Sequence, residues 1–451
     1  YYSKCVNAVK LFAGLKIAES TDYLNELNRH NVICFDINQE ISFNGGTENF
    51  LENIQKRIIA ELNEQYGITV SQNNLPAALI EINLRFAERF IVVIDEWNAI
   101  FRDHPDEQKL QEDYVNMLSD LFKGLNSESF IELAYLTGIF PIKMYDRRSS
   151  LINFRDYSIL TPAESAPFFG FTGDEVESIC GTFNLDLRLT KLWYNGYILN
   201  GLHIYNPYSI MELVSTGIYQ SYWNKTASIK AVSSCIELNP GGLLDALISL
   251  LEDNRVRTIN LDAFNANIYN FESRDAVLTY LIHLGYLGYS DGQLFVPNEE
   301  LRLELMRAVE SSKFDEYLKL IKDSRELLRR TRALDGDYVA SVIERFHVRH
   351  VSYTSPREYN SKDDLRNLVD VVAGAYLACI EDYLRPAREF PTGRCYADLV
   401  YLPYRHASYD LPALIIELKI NDEAPGIIGK IKDGDYPDAV NGFTGEIILV
   451  G

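Results

Sequence analysis

"RFIVVIDEWNAIF" (residues 89–101) is an unbroken apolar run, rich in β-branched residues, that ends in two acids, Asp95 and Glu96. A strand with one wet face would alternate apolar and polar residues. A continuous run belongs to a strand covered on both faces, as in a parallel sheet. Open parallel sheets bind ligands beyond the carboxyl ends of their strands, so acids at such an end sit on the ligand side. Working outward, "NVICFDI" (31–37) and "FIELAYLTGIFPI" (130–142) read as two more strands of this kind. "ENFLENIQKRIIAELNEQYG" (48–67) and "QKLQEDYVNMLSDLFKGLN" (108–126) carry apolar residues at helical spacing, the first with a glycine stop. The alternation predicts an α/β fold with helices packed on a parallel sheet.

The chain has 451 residues, more than one ordinary core accommodates, so roughly two to four domains are expected. Hydrophobic residues make up 47% and charged residues 24%, which excludes a disordered chain. No apolar run approaches the roughly 20 residues of a membrane helix. The opening "YYSKCVNAVKLFAGLKIAES" lacks the long apolar core of a secretory signal. Six cysteines (Cys5, Cys34, Cys180, Cys235, Cys379, Cys395) are scattered with no CxxC pair, and read as reduced thiols of a cytoplasmic protein. The net charge of −21 argues against broad non-specific nucleic-acid binding, while leaving room for a local basic groove. The densest basic stretch, "SRELLRRTR" (324–332), followed by "ERFHVRH" (344–350), reads as a solvated helix face sooner than as a nucleic-acid contact.

Beyond about residue 160 the pieces shorten: "TPAESAPFFGF" (161–171), "TGDEVESICGTF" (172–183), "DLRLTKLWYNGY" (186–197) and "PYSIMELVSTG" (207–217) are helical in pattern. "SRDAVLTYLIHLGYLGYSDGQLFVPN" (273–298) is a helix followed by two strands about Asp291-Gly292, a hairpin signal, and suggests a winged-helix-like module. "NEELRLELMRAVESSKFDEYLKLIKDSRELLRRTR" (298–332) reads as a helical connector. The last unit holds a helix, a strand with Asp398, a strand with Glu417, the helix "PGIIGKIKDGDYPDAV" (425–440) and the strand "GEIILVG" (445–451). The expected domains are 1–160, 161–297, 298–339 and 340–451.

Within that unit, "RCYADLVYLP" (394–403) and "ALIIELKI" (413–420) are apolar strands bearing Asp398 and the pair Glu417, Lys419. Side chains at i and i+2 of a strand share a face, and buried Glu and Lys are rare unless paired or employed. Two carboxylates on adjacent strands can hold a hard divalent cation, preferably Mg²⁺. A lysine beside them can orient or deprotonate the attacking water and offset phosphate charge. This is the set a metal-dependent phosphodiesterase needs. The competing reading is a Lys419–Glu417 or Lys419–Asp398 ion pair that only stabilises.

These residues resemble the PD-(D/E)XK nuclease superfamily, with Asp398 as the first metal acid and Glu417-Leu418-Lys419 as the E-x-K. The longer pattern "ADLVYLP…PALIIELK…YPDAV…GEIILVG" is similar to a bacterial family in which such a domain follows an AAA-ATPase-like domain. The resemblance implies a restriction-endonuclease-like α/β domain that cleaves nucleic acid, DNA sooner than RNA. It implies a role for Lys430 in the catalytic set, where the family often has glutamine. It also implies one further acid from the first helix, with Asp363, Asp364 and Asp370 all open.

The first region is similar to the AAA-ATPase-like part of that family in "IDEWNAIF", "YLTGIFPIKMY", "LINFRDYSIL", "WYNGY", "YNPYSI" and "VLTYLIHLGYLGY". "IVVIDEW" (91–97) then looks like a Walker B strand. Asp95 would hold Mg²⁺ through water, Glu96 would polarise the water that attacks ATP, and Thr137 would sense the γ-phosphate. Lys143, Arg147 and Arg148 follow in a loop and could serve phosphate, in cis or in a neighbour, the two arginines reading sooner as ordinary surface charges. The phosphate loop G-x-x-x-x-G-K-[ST] does not occur in the sequence. The resemblance places it just upstream of the segment that opens here, and the end at "EIILVG" also looks cut. The P-loop sheet is therefore expected to be truncated, and residues 1–451 alone are expected not to hydrolyse ATP. A degenerate ATPase is the competing explanation.

His203, His283, His347 and His350 show no ligand spacing with cysteines, and the run Trp193–Tyr197 reads as core before base stacking. There is no Ser-His-Asp elbow and no dinucleotide glycine fingerprint. The combined expectation is a Mg²⁺-dependent nuclease coupled to an AAA-type ATPase-like module, acting in defence or repair without a membrane, with homo-oligomers left open. The alternative is a non-catalytic scaffold that binds nucleic acid or protein on degenerate ATPase and nuclease folds.

Overall fold

The computed structural model describes residues 1–124, 127–140, 153–223, 236–237, 239–252, 256–257, 259–261, 273–311, 315–351, 362–392, 395–404, 411–419 and 443–451. They fall into two compact units, residues 1–161 and residues 162–264 with 271–451. No described helix is long and apolar enough to cross a membrane.

The first unit is built on a parallel sheet of three strands in the order β1 (Asn31–Asp36), β2 (Phe90–Asp95), β3 (Ile131–Leu136). The apolar run of β2 takes the central place, and Phe90, Ile91, Val92 and Ile94 are buried. β3 lies at the margin of the described sheet, and its Leu133 and Tyr135 are 43% and 58% exposed. Its longer helices are α1 (Ile37–Asn44), α2 (Phe50–Tyr66), α3 (Leu75–Phe86), α4 (Ala99–Asp103) and α5 (Gln108–Lys123). Asp36 starts α1 by accepting from Gln39 N at 2.8 Å, and Asn74 starts α3 by accepting from Ala77 N at 2.9 Å. Gly67, at φ 60°, closes α2 in the left-handed region. One core joins Ile54, Ile58 and Leu62 of α2 and Leu79 and Ile82 of α3 to the sheet.

In the second unit the short helical pieces appear as α6 (Gly173–Phe183), α7 (Leu187–Tyr194) and α8 (Pro207–Thr216). A small antiparallel sheet accompanies them: β4 (Phe171–Thr172), β5 (Tyr197–Leu199) and β6 (Leu202–Tyr205). Thr172 and Glu175 form a reciprocal capping box at the start of α6. α9 (Leu243–Leu251), β7 (Val256–Arg257) and α10 (Arg274–His283) follow, then the hairpin of β8 (Gly288–Ser290) and β9 (Gln293–Phe295). Its turn residues Asp291 and Gly292 both have positive φ, 52° and 75°, as a two-residue hairpin of this hand requires. α10 is buried over seven consecutive residues, Ala276 to Ile282, so it is a core helix and presents no face to a nucleic-acid groove.

The stretch read as a connector is two helices, α11 (Glu299–Ser311) and α12 (Asp315–Arg332). α11 is helical as read, and Glu299, Glu300, Arg302 and Glu304 on it are all buried. Each of the three acids has polar partners. Glu299 pairs with Arg302 at 2.8 Å and with Arg385 at 3.3 Å. Glu300 accepts from Ser209 Oγ and Tyr222 N, both at 2.8 Å. Glu304 accepts from Ser221 Oγ at 2.6 Å and pairs with Arg307 at 2.5 Å. The chain then forms α13 (Gly336–Val351), α14 (Lys362–Ala375) and a mixed sheet in the order β10 (Ala387–Thr392), β11 (Cys395–Tyr401), β12 (Ala413–Ile416), β13 (Ile447–Val450). The first two pairings are antiparallel and the last is parallel. Leu399, Leu414 and Ile416 turn one sheet face to α12, α13 and α14, while Val400 and Ile415 pack on the other with Phe443 and Ile447.

Candidate functional sites

At the carboxyl end of the parallel sheet, β1 and β2 finish level, with Asp36 opposite Asp95. The β2–β3 ladder continues one step further, with Thr137 N donating to Ile94 O and Trp97 N to Thr137 O, each at 2.9 Å. That step brings the Thr137 hydroxyl onto Asp95, where it donates to Oδ1. Glu96 N donates to the same oxygen at 3.0 Å. Both donors occupy Oδ1, which leaves Oδ2 turned to other uses. Gly138 makes the corner fit: a Cβ there would run into Asn98 Oδ1 and stand 2.8 Å from Trp97 Cδ1. Glu96 has φ 50°, an uncommon backbone for a residue with a side chain. Its carboxylate pairs with Arg102 at 2.6 Å, a residue that sequence reasoning passed over. Arg102 also grips Asp103 through two bonds of 2.9 and 2.8 Å, and chiefly that grip holds its guanidinium more firmly charged than usual. The signal available in sequence was the cation six positions after Glu96 on a helix that returns past the strand end.

On the C-terminal sheet, Leu399 faces Ile416 and Val400 faces Ile415 in antiparallel register. The next step of that register sets Asp398 beside Glu417 on one face. β12 ends at Ile416, one residue short of the acid, but Glu417 N still donates to Val450 O at 3.0 Å. Leu418 N donates to Asp398 Oδ2 at 2.7 Å, and Lys419 Nζ donates to Glu417 Oε1. Glu417 is 4% exposed and its Oε2 is buried without a hydrogen-bond partner. Burial raises its carboxyl above the usual range; Lys419 opposes that and the charge of Asp398 adds to it. An orphaned, buried carboxylate oxygen next to a second carboxylate offers the hard donors that Mg²⁺ takes. Asp370 stands apart from them. It binds Arg388, which lies opposite Leu399 and so on the helix-covered face. The side chains of Asp363 and Asp364, like Lys430, Lys143, Arg147 and Arg148, lie outside the described residues. Among the described residues no group of three or more His, Cys, Asp or Glu is arranged to hold a metal ion.

Other candidates resolve into structure. In the basic run, Arg325 pairs with Glu310 and Glu381, Arg329 and Arg330 with Glu326, and Arg332 with Asp382. Trp193 and Tyr194 are buried, with the Trp193 ring 5.0 Å from that of Tyr404. His283 is driven down to about 4 by burial and is neutral at physiological pH. His203 Nδ1 meets Asn195 Oδ1 at 3.1 Å. Cys5, Cys34, Cys180 and Cys379 are free thiols.

Residues 1–146 match the model of the AAA-ATPase-like family, described as "Predicted AAA-ATPase". Over 322 residues the chain is 24% identical to an uncharacterised protein encoded in the vnfD 5′ region of Azotobacter chroococcum mcd 1, a match that covers 66% of this chain and 57% of that relative. Among solved structures it is similar to the Walker-type ATPase PABY2304 of Pyrococcus abyssi, at 12% identity and a TM-score of 0.30, over 65% of this chain and 89% of the other. The N-terminal region is thus ATPase-like in sequence and carries a parallel sheet of the kind P-loop domains use.

Proposed function

We propose that this protein couples a nucleotide-responsive ATPase-like region to a divalent-cation-dependent nuclease in its C-terminal sheet. The observation that carries the nuclease reading is the buried, unpartnered Oε2 of Glu417 beside Asp398. Asp398 and Glu417 would hold the cation, which when bound would supply Lewis-acid stabilisation of a phosphodiester. Asp398 is oriented by Leu418 N, which fixes one oxygen and aims the other. Without a cation the Lys419 ammonium neutralises Glu417; with a cation held there it would be free to orient the attacking water or to meet the phosphate.

For the N-terminal region, the supporting observation is Asp95 at the end of the central parallel strand with Thr137 bonded to its Oδ1. Asp95 would bind a hydrated Mg²⁺ of ATP–Mg, Thr137 would register the terminal phosphate, and Glu96 would orient water. Nucleic acid, DNA before RNA, is the proposed substrate.

The test is the open reading frame that carries this chain, assayed on plasmid and on single-stranded DNA and RNA with and without Mg²⁺ and ATP. Mg²⁺-dependent cleavage lost in Asp398→Ala supports the reading. The scaffold alternative draws on the Lys419–Glu417 ion pair, which by itself would stabilise the sheet. A protein that binds nucleic acid but cuts nothing with any divalent metal would establish that alternative.

A further inference from the structure

We propose that Arg102 is a positioning residue for Glu96: it holds the carboxylate in an ion pair at the end of β2 and must release it before that carboxylate can serve a cation or its water. The inference rests on the nucleotide reading of this edge. The geometry is that of a hook fixed on one side. Arg102 Nε and Nη2 are committed to Asp103 at 2.9 and 2.8 Å. With its amide turned to suit its neighbours, Asn38 accepts from Arg102 Nη2 at 3.0 Å and donates to Asp103 Oδ2 at 3.3 Å. What remains is Nη1, and it meets Glu96 Oε2 at 2.6 Å. The side chains are 24% and 34% exposed, so water screens the pair only in part.

This arrangement ties the end of β1, through Asn38, to the end of β2, through Glu96. A carboxylate held by a guanidinium at this distance has its charge offset and one oxygen occupied. Asp95 Oδ1 already has two donors. Asp95 keeps Oδ2 for a cation, and Glu96 is a second acid at this edge whose availability depends on Arg102. A phosphate that competes for the guanidinium would release the acid at the moment the nucleotide arrives.

The experiment is a Mn²⁺ titration of the whole chain, read by the electron paramagnetic resonance signal of the free ion. Arg102→Gln should bind Mn²⁺ about three- to tenfold more tightly, as expected for removal of one unit charge a few ångströms away at high effective dielectric. The gain should vanish in Arg102→Gln/Glu96→Gln, and Asp95→Asn should weaken binding in every background. Arg102→Lys keeps the charge but loses the two-point grip on Asp103, and should fall between. If Arg102→Gln does not fold, Arg102→Lys decides. Unchanged affinity in the Arg102 variants, with binding still dependent on Asp95, overturns the inference and leaves the nucleotide reading standing. Binding indifferent to Asp95 overturns both.

Discussion

At the end of the parallel sheet Asp95 stands exposed, its Oδ1 held by a hydroxyl and a backbone amide. On the C-terminal sheet Glu417 is 4% exposed, and one of its oxygens has no hydrogen-bond partner. Both acids follow an apolar run, yet their situations differ because the sheets differ. A parallel sheet releases all its chain ends on one edge, where donors converge and water remains at hand, so an acid there needs no compensation. The β11–β12 pair is antiparallel and offers its acids on a sheet face instead. There each acid is pushed against core residues and must find a cation, a lysine or a proton. The same holds for Glu252, which lies under Gly374 of α14 close to Asp370 and Arg388.

The hardest blow to this contrast would come from Lys419→Met. If the lysine serves the reaction, cleavage should fall by about 100-fold or more while the fold and Mg²⁺ binding persist. Asp398→Ala should stay folded and bind Mg²⁺ poorly. Thermal melts with a Mg²⁺ titration, run beside a cleavage assay, read both, and an active Lys419→Met protein would remove the lysine from the mechanism.

Next in size is the pH dependence of the buried acids. Burial first, then the charge of Asp370, raise Glu252 to about 8 from 4.5. Below pH 4.5 the group is neutral in folded and unfolded chains alike and contributes no difference. Between the two values the unfolded chain ionises first, so the folded state loses stability as pH rises, and above about 8 the loss is complete. Glu252→Gln should therefore leave stability unchanged near pH 4 and raise it at pH 9 by about 2 kcal/mol, after allowance for relaxation around the group. Denaturant unfolding at the two pH values measures it. Equal gains at both would mean that packing and not ionisation is responsible.

Two smaller effects test the parallel edge. Gly138→Ala forces the Thr137 corner off Asn98 and should cost about 1–3 kcal/mol. A neutral result would show that the corner is looser than its contacts. Asp36→Ala removes the acceptor for Gln39 N and should cost about 1 kcal/mol in a melt. A larger loss would mean that Asp36 does more than cap a helix.

Sequence alone disclosed the parallel sheet because β2 is buried on both faces and says so residue by residue. It disclosed the hairpin because Asp291-Gly292 has one geometry to satisfy. That acids would end β2 and stand on β11 and just past β12 was readable from the apolar runs that carry them. Hidden from it were features that depend on distant partners. β4, β5 and β6 have two to four residues each, too few for a period of two to show. α3 went unread although Asn74 and Pro76 mark its start. Arg102 reads as one of many surface cations until α4 brings it back to Glu96. The stretch holding α11 reads only as a helical connector, because nothing nearby announces Ser209, Tyr222 or Arg385.

That last helix also bears on how the second unit comes together during synthesis. Tyr404, which donates to Glu299 Oε2 at 3.4 Å, lies 105 residues downstream, and Arg385 is also yet to be made when α11 leaves the ribosome. Glu300 and Glu304 find their partners upstream or on α11 itself, but Glu299 has only Arg302 until Arg385 and Tyr404 arrive, and burying it short of partners is costly. The Glu299 end of the helix should therefore dock late, once the final sheet exists. A nascent chain halted near residue 339 should leave α11 open to protease, and the middle of the protein should gain protection together with the C-terminal sheet rather than ahead of it.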